Sequence, residues 1–185
     1  MTSSSSVERD ELRLFLGFRL PDPAARAIAR WQGAELPEDG VRPVPLENLH
    51  VTIAFLGSRP ATDVGPIASV LREAVAGITP PVLAPVRYRE TRSVGMLVFE
   101  DEEGRATRIA EVVHRGLAEL GVYEPEQRPW LPHLTVVRFR ERPRLRPSLP
   151  DLEPVTMSDA AVYMSRLRPT GAQYEVVESV PLGGG

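Results

Sequence analysis

Two six-residue segments of this chain repeat one pattern, and they limit its fold more than any other feature. Residues 50–55 read HVTIAF and residues 133–138 read HLTVVR, so each contains a histidine, an apolar residue, a threonine and two apolar residues in the same order. Apolar and β-branched residues dominate both segments, which predicts two buried strands. Because side chains alternate along a strand, we expect His50 and Thr52 to share one face, and His133 and Thr135 to share a face of the second strand.

The repeated histidine–threonine pairs are suited to proton transfer at a phosphate. Histidine titrates near neutral pH, so one ring can accept a proton while the other donates one. Two threonine hydroxyls at the same depth can donate hydrogen bonds to the oxygens of a phosphorane-like transition state. The third histidine, His114, falls on a helical pattern without a similar partner motif, and we predict a plain surface or boundary residue there.

Composition excludes several other chemistries. The chain has no cysteine, so disulfides, thiol nucleophiles and cysteine-bound metals are excluded. All 22 basic residues are arginine, which excludes a lysine Schiff base and a P-loop lysine. No metal-ligand spacing, G-x-S-x-G elbow or glycine-rich phosphate loop occurs, and we expect neither a metal nor an organic cofactor.

The charge pattern argues against a protein that coats nucleic acid non-specifically. The formal net charge is −3, whereas such proteins are strongly basic. A local basic groove remains open, because arginine recurs at every second position from 138 to 146.

The order of predicted elements indicates an α+β fold. We predict helices over residues 23–34, 63–76 and 105–120, and strands over residues 13–18, 49–56, 82–89, 94–100, 134–139, 155–164 and 173–180. Residues 37–45 are predicted as loop. Each motif strand follows a strand–helix passage, which predicts a bilobal protein of two antiparallel sheets with helices on the outer faces. The histidines would then face each other across a central cleft.

The domain organisation expected from the sequence is simple. We predict a disordered N-terminal tail at residues 1–10, a single bilobal domain at residues 11–182 and a flexible C-terminus at residues 183–185. No apolar run approaches the ~20 residues of a membrane span. The N-terminus lacks the regions of a signal peptide, so we expect a cytoplasmic protein, acting as a monomer.

The motifs and their flanks resemble one known family. His50–Ile53 and His133–Val136 resemble the paired His-x-Thr-x motifs of the 2H phosphoesterase superfamily, and most closely those of its RNA 2′,3′-cyclic phosphodiesterases, also called 2′-5′ RNA ligases. Residues 13–21 are similar to the opening strand of that family. Residues 163–167, followed by residues 171–174, are similar to its C-terminal signature.

This resemblance implies an activity and a set of roles. It implies metal-free hydrolysis of the 2′,3′-cyclic phosphate at an RNA or nucleotide end to a 2′-phosphate, with reversible 2′-5′ ligation as a side activity. His50 would be the proton donor to O3′ and His133 the proton acceptor from water. Thr52 and Thr135 would bind the phosphate oxygens. The partners implied are RNA 3′ ends or nucleotides that carry the cyclic phosphate.

Three further residues are candidate substrate contacts. Phe55 and Arg138 each follow their histidine by five residues, and in similar proteins an aromatic ring there stacks on a base and an arginine contacts phosphate. A regular strand would aim both away from the histidine face, so Arg138 reaches the site only if a bulge or the strand end turns it in, and Phe55 is interpreted equally well as a core residue. Trp130 is a second stacking candidate.

Two alternative functions remain open at this point. The first is a phosphodiesterase for another small cyclic phosphate or a 2′-5′ linkage. The second is a protein that holds a nucleotide or RNA end without turnover.

Overall fold

The computed structural model describes residues 11–169 and 171–183, which form three α-helices and nine strands. The helices are α1 (Asp22–Glu35), α2 (Val64–Val75) and α3 (Arg105–Glu119). The strands are β1 (Glu11–Arg19), β2 (Val41–Pro43), β3 (His50–Pro60), β4 (Val82–Glu90), β5 (Val94–Glu100), β6 (His133–Phe139), β7 (Val155–Thr156), β8 (Asp159–Arg168) and β9 (Gly171–Pro181). The predicted tail at residues 1–10 and residues 184–185 of the predicted flexible C-terminus lie outside the described residues.

The sheet divides at the contact between the two motif strands. Its strands are antiparallel and follow the order β7-β4-β5-β6-β3-β1-β8-β9, with β2 also paired to β6. β3 and β6 meet through one residue pair, Val51 and Leu134, which we call the junction pair. Lobe 1 is therefore the sheet of β3, β1, β8 and β9, and lobe 2 is the sheet of β2, β4, β5, β6 and β7. The predicted α+β class with two antiparallel halves is confirmed.

The helices cover the core face of the sheet and cross between the lobes. α3 packs on β3, and α2 packs on α3, β8 and β9. Gly116 allows the two helices to approach, because a Cβ there would lie 2.7 Å from the Val70 side chain. α1 follows a lobe 1 strand but is tied to the lobe 2 side, where the Trp31 indole donates a 2.7 Å hydrogen bond to the Ser148 carbonyl. No helix in the described part of the chain is long and apolar enough to cross a membrane.

The local sequence determines where α3 begins and ends. The Asp101 carboxylate accepts a 2.7 Å hydrogen bond from the Thr107 N–H, which is one of the free donors of the first turn. The helix ends before Gly121, whose φ of 71° suits the left-handed turn that stops a helix. Between these ends, one stripe of the helix is fully buried: Ala106, Ile109, Ala110, Val113 and Leu117.

Two parts of the fold differ from the prediction. β2 lies within residues 37–45, which were predicted as loop, and it pairs with the end of β6. The strand predicted over residues 155–164 is divided at Met157 and Ser158, where the chain crosses between lobes: β7 pairs with β4 and β8 with β1. The Met157 N–H donates to the Pro81 carbonyl and the Ser158 N–H to the Arg19 carbonyl. These long-range bonds break the strand at a point where the local sequence stays strand-like.

Candidate active site

The two motif strands bring their histidines and threonines to one surface. Continuing the antiparallel register by one residue on each side of the junction pair places His50 opposite Thr135 and Thr52 opposite His133. The junction pair is fully buried, whereas these four side chains are half-buried on the other face, which we call the cleft face. Diagonal neighbours in a regular antiparallel pair lie about 7–8 Å apart. The charge of His133 acts on His50, so the two imidazoles lie close enough together to serve one phosphate.

Each motif strand contains a β-bulge directly after its threonine. The pairing of β3 with β1 skips Ile53, and the pairing of β6 with β5 skips Val136. An extra residue reverses the alternation of side chains beyond it. Phe55 and Arg138 therefore lie on the cleft face with the histidines, and both are exposed while their chain neighbours are buried. The odd spacing required a bulge to turn Arg138 toward the histidine face, and both motif strands have such a bulge. Phe55 is half exposed, so it is not a core residue.

A side chain from a helix satisfies the carbonyl of each bulge residue. His114 Nε2 donates a 2.8 Å hydrogen bond to the Ile53 carbonyl, and Gln32 Nε2 donates a 2.6 Å hydrogen bond to the Val136 carbonyl. Gln32 is almost completely buried. His114 was predicted to be a plain surface or boundary residue. It is half-buried, as a boundary residue is, but its hydrogen bond to Ile53 was missed because Ile53 is 61 positions away in the sequence.

Backbone carbonyls orient the imidazoles of His50 and His133 in the same way. His50 Nδ1 lies 2.7 Å from the Asn48 carbonyl, and His133 Nδ1 lies 2.8 Å from the Leu131 carbonyl. A carbonyl only accepts, so each Nδ1 carries the proton, and each Nε2 has the free lone pair of the neutral ring. Among the described residues, no buried side-chain nitrogen or oxygen lacks a hydrogen-bond partner, so both Nε2 atoms are open to the cleft.

The His50 ring lies against an aromatic cluster on the cleft face of lobe 1. The rings of Phe15, Tyr163 and Tyr174 have centroids 4.7, 5.7 and 5.4 Å from the imidazole centroid. Gly17 provides the space for this packing, because a Cβ there would lie 3.2 Å from His50 Cδ2. Tyr163, in the segment similar to the family's C-terminal signature, is thus a packing partner of the histidine.

This environment keeps His50 neutral in the free protein. Burial disfavours the charged imidazolium, and with the nearby positive charges of His133 and Arg138 it lowers the pKa of His50 from 6.5 to about 4. The hydrogen bond to the Asn48 carbonyl acts in the opposite direction but is outweighed.

A pocket of about 750 Å³ opens beside the motif strands. Thr52, Phe55, Trp130 and His133 line it together, so both predicted stacking residues lie in the same pocket as His133. The Trp130 indole donates a 3.1 Å hydrogen bond to the Thr52 carbonyl, which fixes the ring against the first motif strand.

Arginines occupy the cleft face of lobe 2. Arg87 and Arg89 pair with the β5 residues that lie opposite His133 and Thr135, and Arg42 pairs with Arg138. These four arginines are exposed, and in the described part of the chain none forms an ion pair. Sequence reasoning missed Arg42, because the short strand that carries it was predicted as loop.

The arrangement defines a class of enzyme. The described residues include no group of three or more His, Cys, Asp or Glu side chains placed to hold a metal ion. Two imidazoles with open Nε2 atoms, next to two hydroxyls and a guanidinium, can exchange protons with a phosphate ester and stabilise its charge. The fold and site are those of a two-histidine phosphoesterase.

Comparison with known proteins identifies the family. Residues 18–84 match the family model described as LigT like Phosphoesterase. The RNA 2′,3′-cyclic phosphodiesterase of Thermus thermophilus is 32% identical over 184 residues, covering 94% of this chain and 91% of the relative. The Escherichia coli protein of the same name is 28% identical over 129 residues, covering 68% and 71%. The chain belongs to the LigT-like phosphoesterases of the 2H superfamily.

Solved structures agree with this assignment. The crystal structure of TT0787 of Thermus thermophilus matches with a TM-score of 0.78 and 31% identity, over 94% of this chain and 99% of that one. Escherichia coli LigT complexed with 3′-AMP matches with a TM-score of 0.81 over 95% and 100% of the two chains. Its identity is 21%, so this second match shows the shared fold alone.

Proposed function

We propose that this enzyme hydrolyses the 2′,3′-cyclic phosphate at RNA or nucleotide ends to a 2′-phosphate, without a metal. The observation that carries the proposal is the pair of open Nε2 atoms on either side of the junction pair, with a threonine opposite each histidine. The relatives named RNA 2′,3′-cyclic phosphodiesterase support the choice of substrate.

The proposed reaction is a single displacement at phosphorus. His133 Nε2 takes a proton from water, whose oxygen forms a new bond to phosphorus. The bond from phosphorus to O3′ breaks, and His50 gives O3′ the Nε2 proton that it takes up from solvent when the anionic substrate binds beside it. The hydroxyls of Thr52 and Thr135 donate hydrogen bonds to the phosphate oxygens on which charge accumulates.

The side chains around this centre hold the rest of the nucleotide. Phe55 and Trp130 line the pocket next to His133, where a base can stack between or against the rings. Arg138, on the same face, supplies a guanidinium that can bind a phosphate of the substrate. An anionic phosphate beside His50 opposes the effect of the neighbouring positive charges and so raises the pKa of His50 when substrate binds.

The test is the activity of His50→Ala and His133→Ala on a nucleoside 2′,3′-cyclic monophosphate. Loss of a general acid or base costs about 10²–10⁴-fold in rate, so each variant should lose at least about a hundredfold in kcat with its circular dichroism spectrum intact. Phosphorus NMR of the product should show the 2′-phosphate, and EDTA should leave the wild-type rate unchanged.

Other results would select other functions. Full activity of either histidine variant would contradict the assignment, and a 3′-phosphate product would contradict O3′ as the leaving group. Tight product binding without turnover would favour a nucleotide or RNA-end binding protein. Turnover confined to another cyclic phosphate would favour a different phosphodiesterase. Ligation is a minor activity in this proposal, because opening the strained ring in water runs downhill.

Location and assembly complete the proposal. A chain without cysteine fits a reducing compartment, and we place the enzyme in the cytoplasm. We expect a monomer, which light scattering coupled to size exclusion would establish by a mass of 20.4 kDa.

A further inference from the structure

Two arginines face each other across neighbouring strands at the edge of the cleft. Arg42 of β2 and Arg138 of β6 are direct partners in the antiparallel register, so their side chains leave the sheet on the same face. Like charges directly opposite each other destabilise a sheet. Both are exposed, and no carboxylate in residues 11–169 or 171–183 neutralises either of them. The two positive charges are therefore left for an anion from outside the protein.

The pair lies beside the catalytic centre. The bulge at Val136 brings Arg138 onto the cleft face, and its charge acts on His50. Arg42 Nη1 lies 4.0 Å from the position that a Cβ would take at Gly171. The next residue, Ala172, accepts a 2.8 Å hydrogen bond from Asn48, whose carbonyl holds the His50 ring. The Arg42 guanidinium thus spans from lobe 2 to the part of lobe 1 that supports His50.

We infer that Arg42 and Arg138 bind a second phosphate of the substrate, the one on the 5′ side of the nucleotide that carries the cyclic phosphate. This inference rests on the proposed function. In the proposed function the threonines and histidines serve the cyclic phosphate. Arg138 lies on the same face of β6, three residues beyond Thr135, with Arg42 opposite it. Two guanidinium forks on adjacent strands and on the same face suit a phosphate, which each can bind with two hydrogen bonds.

The site would make the enzyme sensitive to what precedes the terminal nucleotide. A nucleoside 2′,3′-cyclic monophosphate lacks the second phosphate. Its 5′-phosphorylated form has this second phosphate as a monoester, and a dinucleotide with the same cyclic end has it as a diester. A charge-assisted contact is worth about 10- to 100-fold in affinity, so we expect both longer substrates to exceed the monophosphate in kcat/KM by about tenfold or more.

The experiment measures kcat/KM on these three substrates for the wild type, Arg42→Gln and Arg42→Lys. The ratio of each longer substrate to the monophosphate should fall by about tenfold or more in Arg42→Gln, and Arg42→Lys should recover part of it, because lysine keeps the charge without the fork. The matched control is Arg30→Gln, an equal change of charge on the exposed face of α1, which should leave the ratio at the wild-type value.

Each other outcome has a distinct meaning. Equal loss on all three substrates, or an unchanged ratio in Arg42→Gln, would overturn the second-phosphate site while leaving the proposed function intact. A wild type that hydrolyses none of the three would overturn the proposed function itself. Loss on the dinucleotide but not on the 5′-phosphorylated form would overturn a phosphate contact in favour of a nucleoside contact. A thermal midpoint of ligand-free Arg42→Gln below that of the wild type would also count against the site, because removing one of two opposed like charges should not destabilise the sheet.

Discussion

At the scale of single residues, the two motif histidines, His50 and His133, have similar sequence settings but different surroundings. Both are oriented by a carbonyl two residues earlier in the chain. His50 alone lies against the Phe15, Tyr163 and Tyr174 rings, where burial makes a positive charge costly. The difference between the two histidines therefore comes from the neighbouring strands and not from the motif.

The lowered pKa of His50 makes stability depend on pH in a defined window. Between pH 6.5 and about pH 4, the unfolded chain binds a proton at His50 that the folded protein does not bind. The contribution of neutral His50 to the free energy of unfolding is therefore fully present above pH 6.5. It is lost as the pH decreases through this window, and the total loss is at most about 3 kcal/mol.

Urea unfolding at pH 7.5 and pH 4.5 measures this effect. The wild type should lose more stability than His50→Gln between the two pH values, because glutamine cannot titrate. Saturating inorganic phosphate should reduce the difference, since an anion next to His50 raises its pKa. An identical loss in the two proteins would show that His50 is protonated as easily in the folded state as in the unfolded state.

At the scale of elements, the paired bulges decide which side chains reach the cleft. Strict alternation along β3 and β6 would direct Phe55 and Arg138 away from the histidines. The bulges at Ile53 and Val136 reverse this, and helices from elsewhere in the chain bond the two bulge carbonyls. We therefore expect His114 and Gln32 to be positioning residues for the motif strands.

Two variants of His114 test this role: one removes the hydrogen-bond donor, and the other replaces it with the amide that Gln32 uses on β6. His114→Phe leaves the Ile53 carbonyl without its donor, which costs about 1–3 kcal/mol in stability and lets the bulge relax. We expect kcat on a cyclic nucleotide to fall by about tenfold. His114→Gln supplies the same kind of donor that Gln32 supplies to β6, and it should restore most of kcat. Equal kcat values in the two variants, at equal folded fractions by urea titration, would mean that the hydrogen bond does not position the strand.

The limits of sequence reasoning are clearest at this scale. Helical periodicity predicted all three helices, and alternation predicted the surface shared by His50, Thr52, His133 and Thr135. Bulges depend on how β3 and β6 pair with strands distant in sequence. Local alternation could therefore say only that Arg138 would reach the site if a bulge were present. β2 is three residues long and ends in proline, which gives no strand pattern to read, and Arg42 went unnoticed with it.

At the scale of the whole molecule, the cleft has two unlike walls. Aromatic rings cover the cleft face of lobe 1, and they include Phe55, which is exposed beneath the Arg13 guanidinium. Arginines cover the cleft face of lobe 2, at positions 42, 87, 89 and 138. The lobes meet through the junction pair and the bond from Trp130 to the Thr52 carbonyl. A nucleic acid end has the matching division, with flat bases on one side and charged phosphates on the other.

This division predicts that the two walls respond differently to salt. Binding to phosphate weakens as salt rises, with a slope of about −0.7 for each neutralised phosphate of a single strand, whereas stacking is insensitive to salt. The substrate is an oligoribonucleotide with a 2′,3′-cyclic end, and the measurement is the slope of log(kcat/KM) against log salt. In the double variant Arg87→Gln, Arg89→Gln this slope should be less steep, by about 0.7 for each phosphate that is no longer neutralised. Phe55→Leu should lower kcat/KM about 10- to 100-fold, the value of one stacked base, at an unchanged slope. Parallel lines for the arginine variant and the wild type would show that these arginines do not bind phosphate, and a changed slope in Phe55→Leu would show that the walls do not act separately.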